Sequence, residues 1–91
     1  MEKILKITRD KILKDLLEYL KMSNPMIKEV KDLPLNKSLL ELGYLDSFGV
    51  IDLVTFIEKK YKIFIENEEL TKNKFGSINK MVNLIVSKIN V

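Results

Sequence analysis

The sequence predicts an all-α domain with three main helices, one short helix and a long first loop. Three features carry that expectation. Apolar residues recur at i, i+3, i+4 spacing in three stretches, around residues 3–22, 47–60 and 75–89. Residues that stop or start helices separate these stretches, Asn24-Pro25 after the first and Asp46 before the second. The one run dominated by β-branched and aromatic residues, Tyr61-Lys62-Ile63-Phe64-Ile65, has no second run to pair with, and a lone strand is not stable.

The first helix is expected over about 3–22. Leu5, Ile12, Leu13, Leu16, Leu17 and Leu20 fall on one broad face, Lys11, Lys14, Glu18 and Lys21 lie largely away from it, and Ile4 and Ile7 sit off the stripe. Proline disfavours helical geometry in the residue before it, so Asn24-Pro25 ends this helix. The connection from about Ser23 to Asp46 contains Ile27, Val30, Leu33, Leu35, Leu39, Leu40, Leu42 and Leu45 and must be packed down rather than loose. Within it Ser38-Leu39-Leu40-Glu41 has capping-box spacing and Gly43 suits a left-handed terminus, which predicts a short helical turn at 39–42.

The second helix is expected from Ser47 to about Lys60, with Asp46 as N-cap and Val50, Leu53, Val54, Ile57 and Tyr61 as its inward stripe. Phe48, Ile51, Thr55 and Lys59 fall on another face. An extended connector at 61–65 precedes a short helix at Glu66-Asn67-Glu68-Glu69-Leu70, whose acids suit a helix N-terminus. Phe75 and Ser77 open the last helix, which runs to about Ile89 with Ile78, Met81, Val82, Ile85 and Ile89 inward.

The 91 residues suit a single domain, 1–91, and 46% hydrophobic with 32% charged residues exclude a disordered polar chain. There is no cysteine and no histidine, which removes disulfides, thiolate zinc sites, the thiol nucleophile and the commonest general base. The amino-terminal stretch breaks every apolar run with charge, and no run approaches the ~20 residues that cross a bilayer, so no membrane insertion and a cytoplasmic location are expected. Charge is uneven: residues 1–40 carry nine basic and six acidic groups, 41–69 three and seven, and 70–91 four lysines and no acid. Fifteen of the sixteen basic residues are lysine, and only Arg9 offers a guanidinium for bidentate contacts, which argues against nucleic-acid binding. Ser77-Ile78-Asn79-Lys80 has serine-lysine spacing but reads better as a helix cap followed by a solvated lysine. Glu66, Glu68 and Glu69 read as a charged first turn rather than a cation site, and no metal is expected.

The segment Gly43-Tyr44-Leu45-Asp46-Ser47-Phe48-Gly49-Val50-Ile51-Asp52-Leu53-Val54 carries a more specific signal. Together with the Leu39-to-Gly43 turn before it, Phe56-Ile57-Glu58 after it and Phe75-Gly76-Ser77-Ile78 ahead of the last helix, it resembles the acyl carrier proteins. The likeness is to the free-standing carriers whose attachment motif reads leucine-aspartate-serine, and it covers nearly the whole chain. The resemblance implies an acyl-carrier-like four-helix bundle that is no enzyme itself. A 4′-phosphopantetheine arm from coenzyme A would be joined to the Ser47 hydroxyl as a phosphodiester, holding an acyl or aminoacyl group as a thioester. It further implies that Asp46 helps engage a phosphopantetheinyl transferase and its magnesium. Phe48, Ile51, Asp52 and Thr55 would border the partner surface, with Glu66, Glu68 and Glu69 extending an acidic patch. The remaining partners would be a loading enzyme and a downstream synthase or transferase, met by a monomer. Without a histidine, Ser47 is a poor nucleophile and needs the base of a separate transferase. A phosphate at a helix N-terminus gains about 0.3–1 kcal/mol from the dipole and free amides.

This chain departs from the family in being basic overall, where carriers of fatty acid synthesis are usually acidic. A fatty acyl chain, a hydroxy acid, an amino acid and a polyketide intermediate all fit as cargo. Two other functions stay open: a carrier-like interaction domain that is never modified, and a basic nucleic-acid-binding helical domain.

Overall fold

The structure, a computed structural model, describes residues 9–89. The expected beginning of the first helix, with Ile4, Leu5 and Ile7, lies outside the described residues. Within them the chain is all-helical and contains no strand. Three long helices, α1 (Arg9–Ser23), α2 (Ser47–Tyr61) and α4 (Ile78–Ile89), enclose the core, with a four-residue helix, α3 (Lys72–Phe75), between α2 and α4.

The apolar stripes explain the packing. Ile12, Leu16 and Leu20 of α1, Leu53 and Ile57 of α2, and Ile78, Met81, Val82, Leu84 and Ile85 of α4 are buried in one cluster. Helix α4 packs on both α1 and α3. Burying one such aliphatic side chain is worth about 1.5–3 kcal/mol, so this cluster outweighs the modest helix propensities of its β-branched members. Leu13, Leu17, Val50, Val54, Tyr61 and Ile89 flank the cluster half-buried. Helix α2 meets α1 through side chains: the rings of Tyr19 and Phe56 stack with centroids 4.3 Å apart. The Arg9 guanidinium donates to Asn83, joining α1 to α4.

The long first loop is packed through only part of its apolar residues: Leu40 and Leu42, expected to be covered as well, are 53% and 47% exposed, because the turn they lie on faces outward once Leu39 is buried. Ile27, Leu33 and Leu39 are buried beneath it, and a 3₁₀ turn at Val30–Asp32, which no local pattern signals, bends it over α1. The expected turn at 39–42 is present: the Ser38 hydroxyl accepts from the Glu41 amide at 3.2 Å and Leu42 N donates to Ser38 O at 3.1 Å. Gly43 leaves it with φ +84°, a conformation that L side chains resist. The other half of the capping box is not made, because the Glu41 carboxylate pairs with Lys72 at 2.9 Å.

Two boundaries differ from expectation. The acids at 66–70 form a 3₁₀ turn (Asn67–Glu69), and the short α-helix lies further on at Lys72–Phe75. Thr71 is the reason: its hydroxyl caps that helix by accepting from Lys74 N at 3.3 Å. Phe75 therefore belongs to α3, where it is buried, and α4 starts at Ile78 with Ser77 as its cap, the Ser77 hydroxyl accepting from Lys80 N at 3.3 Å. Gly76 joins the two helices where there is no room for a side chain; a Cβ there would sit 2.3 Å from Lys72 O.

Candidate functional site

Asp46 caps α2 as its position predicts. Its backbone is extended, and its carboxylate accepts from Gly49 N at 2.7 Å. Ser47 is the first residue of the helix and is exposed. With Gly49 N taken by the cap, the Ser47 and Phe48 amides are the remaining first-turn donors and have no partner among the described residues at the positive end of the dipole.

The five serines differ in what their hydroxyls do. Ser23 donates to Leu20 O, Ser87 donates to Leu84 O, and Ser38 and Ser77 accept from Glu41 N and Lys80 N. Ser47 alone among them has a hydroxyl with no hydrogen bond to the described residues. It is the one serine whose oxygen can take a substituent without breaking an internal contact.

The peptide ahead of Ser47 is held firmly. Asn24, at the end of α1, donates its side-chain amide to Tyr44 O at 2.8 Å, and Tyr44 N and Leu45 N both donate to Leu39 O, at 2.9 and 3.2 Å. Sequence patterning identified Asn24 only as the residue before a proline. Its bond to Tyr44, 20 residues away, has no local signal.

Phe48, Ile51, Asp52 and Thr55 are all exposed on α2. Phe48 is 78% exposed and Ile51 61%, unusual for large apolar side chains one turn apart. The Thr55 hydroxyl donates back to Ile51 O at 3.0 Å. On the α1 side, Asp46 and Asp52 border a polar cleft with Tyr19, Ser23 and Asn24. Partial burial there, together with the Asp52 charge, pushes the Tyr19 phenol up. On the other side of α2 an apolar cavity of about 180 Å³ lies among Leu39, Leu45, Val50, Leu70, Phe75 and Met81, with the Glu41–Lys72 pair at its rim.

The remaining expected acids are placed differently. Ile65 N donates to the Glu58 carboxylate at 2.9 Å, and Glu58 lies about 16 Å along α2 from Ser47 by helical rise. Glu66 therefore enters beside the lower half of α2, not at the Ser47 rim. Glu66 and Glu68 are exposed, whereas Glu69 is half-buried and bound to Lys88 at 2.8 Å. The Lys88 ammonium, helped by the Glu66 amide that Glu69 also accepts, holds the Glu69 carboxyl below its usual range. Among the described residues there is no group of three or more metal-ligating side chains and no helix long and apolar enough to cross a membrane.

The site can therefore present a free hydroxyl at a rigid helix N-terminus, between an acidic cleft and an apolar cavity. An exposed hydroxyl oxygen with anion-favouring amides beside it would suit a phosphodiester-linked group at Ser47. Comparisons with family models, with curated proteins and with solved structures gave no match to this chain.

Proposed function

We propose that this chain is an acyl carrier protein that holds an acyl or aminoacyl group as a thioester on a 4′-phosphopantetheine arm attached to Ser47. The observation that carries the proposal is the Ser47 hydroxyl, exposed at the first position of α2 and unengaged while every other serine hydroxyl is used by the fold. The arm, once attached, supplies the thiol that a chain without cysteine lacks.

The chain's own residues then have plain tasks. Asp46 keeps the first turn of α2 closed, so the Ser47 oxygen is presented at a fixed position. The Ser47 and Phe48 amides and the helix dipole favour a phosphate on that oxygen. Phe48 and Ile51 give a partner enzyme an apolar foothold one turn from the attachment point, and Asp52 and Thr55 border it. No histidine stands ready to activate Ser47, so attachment falls to a separate phosphopantetheinyl transferase, in the cytoplasm where coenzyme A is drawn on. Loading enzyme and downstream synthase would meet the same face in turn.

Incubation with coenzyme A and a broad-specificity transferase, followed by intact mass measurement, tests the proposal. A carrier gains the mass of one phosphopantetheinyl group. A fully folded chain that gains nothing is an interaction domain instead.

A further inference from the structure

The carrier role leaves the lysines of the last quarter of the chain without a task. Residues 70–91 carry four lysines and no acid, and two of the four, Lys72 and Lys80, line one concavity that Ser47 does not border. That concavity has a volume of about 370 Å³ and is bordered by Asn36, Lys37, Glu41, Lys72, Asn73 and Lys80. Among the described residues three lysines and one glutamate border it, a local excess of two positive charges in a concave site.

The site is held in shape. Asn79 N donates to Leu35 O at 2.9 Å and the Asn79 side chain donates to Asn36 Oδ1 at 2.7 Å, which fixes the loop bearing Lys37 against the start of α4. The Lys80 ammonium donates one proton to Lys72 O at 3.2 Å, leaving its other two donors free. Lys72 is held at 2.9 Å by Glu41, the only acid bordering the site among the described residues. Both partners of that pair are largely exposed, at 79% and 64%, so the pair is weak and a stronger anion can displace Glu41 from Lys72. Asn36 and Asn73 add neutral amide donors suited to oxygen acceptors.

We infer that the concavity of Lys37, Lys72 and Lys80 binds a phosphate-type dianion, either the free ion or the phosphoryl group of a small organic phosphate, with Glu41 as an internal competitor. A phosphoryl group presents three acceptor oxygens carrying nearly two charges at neutral pH, which three ammonium donors match in number and sign. This site is independent of the Ser47 assignment, since it requires no modification of the chain.

Amide chemical shifts of the unmodified full chain, recorded during titration with inorganic phosphate and separately with glycerol 3-phosphate at constant ionic strength, test it. Saturable shifts should concentrate at 36–38, 72–73 and 77–80. Tighter binding of glycerol 3-phosphate marks an organic phosphate as the ligand, and equal or tighter binding of the inorganic ion marks the free anion. Removing two charged donors in Lys37→Gln/Lys80→Gln should weaken binding by about tenfold or more, whereas Glu41→Gln should strengthen it by freeing Lys72. Shifts spread evenly over all lysine-bearing segments, or affinities unchanged in both variants, overturn the site.

Discussion

The Tyr61 hydroxyl donates to Asp15 Oδ2 at 2.7 Å across 46 residues of sequence, fastening the end of α2 to the middle of α1. Lys11 pairs with the same carboxylate at 3.0 Å and Lys60 reaches it at 4.0 Å. Partial burial pulls the Asp15 carboxyl up, but the Tyr61 bond and the two lysines outweigh it and leave the group below its usual value. Burial, then the Asp15 bond and charge, raise the Tyr61 phenol well above its usual value.

Both shifts tie stability to pH, in opposite directions. Asp15 is depressed in the folded state, so its contribution is present above about pH 4 and is lost as pH falls through the folded value. Tyr61 is raised, so its contribution is present below about pH 10 and is lost as pH rises towards its folded value. Tyr61→Phe should cost about 1.5–3 kcal/mol at pH 7. In urea titrations the gap from wild type should narrow at both pH 3 and pH 11. A gap of constant size across the three conditions would contradict this account of the latch.

Core positions on α2 should rank by burial. Ile57→Ala, at a fully buried site, should cost about 2–5 kcal/mol. Val54→Ala, half-buried, should cost less, and Thr55→Ala, exposed, should stay within about 0.5 kcal/mol. Denaturant midpoints give the order directly, and a Thr55 loss matching that of Ile57 is incompatible with these helix faces.

Gly76 should tolerate no side chain. A Cβ there meets backbone atoms of Lys72 rather than a movable side chain, so Gly76→Ala must open the α3–α4 junction, at a cost of about 1–3 kcal/mol. Alanine usually favours helical chain, so a gain in stability on this substitution would refute the close approach.

Most of the scaffold was legible because three amphipathic stripes dominate it. Leu16, Ile57 and Ile85 are buried where their spacing puts them, and Asp46 caps where a lone aspartate ahead of an apolar stripe should. The extended connector expected at 61–65 is found at 63–66, since Tyr61 still belongs to α2 and Lys62 caps it, and local composition foretold a packed first loop except at Leu40 and Leu42. What escaped were choices between competing caps and pairings between distant residues. Glu66 and Thr71 both offer helix starts, and the threonine prevailed because Phe75, four residues on, could then be buried. Asn24–Tyr44 and Glu69–Lys88 join residues that only the folded chain brings together. At the candidate site Ser47, Asp46 and the α2 face could be read in advance, but the idle state of the Ser47 hydroxyl could not.

Charge beside Ser47 should govern recognition by a basic transferase. Asp52 borders the cleft next to Asp46, whereas Glu66 follows Ile65, whose amide is bound by Glu58, and Glu58 lies about 16 Å along α2 from Ser47 by helical rise, beyond the ~8–10 Å over which physiological salt screens charge. Asp52→Lys should slow modification through the association rate, added salt should shrink the difference, and Glu66→Lys should have a smaller effect. Asp46→Asn should stay folded, since asparagine caps as well as aspartate, yet be modified more slowly. Lys14→Glu, on exposed α1, serves as the charge control; Lys88 is unsuitable because it holds Glu69. Modification rates at two salt concentrations decide the matter, and a Lys14 reversal as harmful as Asp52→Lys would show that net charge, not local charge, matters.

The most direct test of the central claim is the intact mass of wild type and Ser47→Ala after treatment with coenzyme A and a broad-specificity transferase. Because the Ser47 side chain makes no hydrogen bond to the described residues, the variant should fold like wild type by circular dichroism. The account predicts one phosphopantetheinyl group on wild type and none on folded Ser47→Ala. Equal labelling of both, or no labelling of a folded wild type, would contradict it.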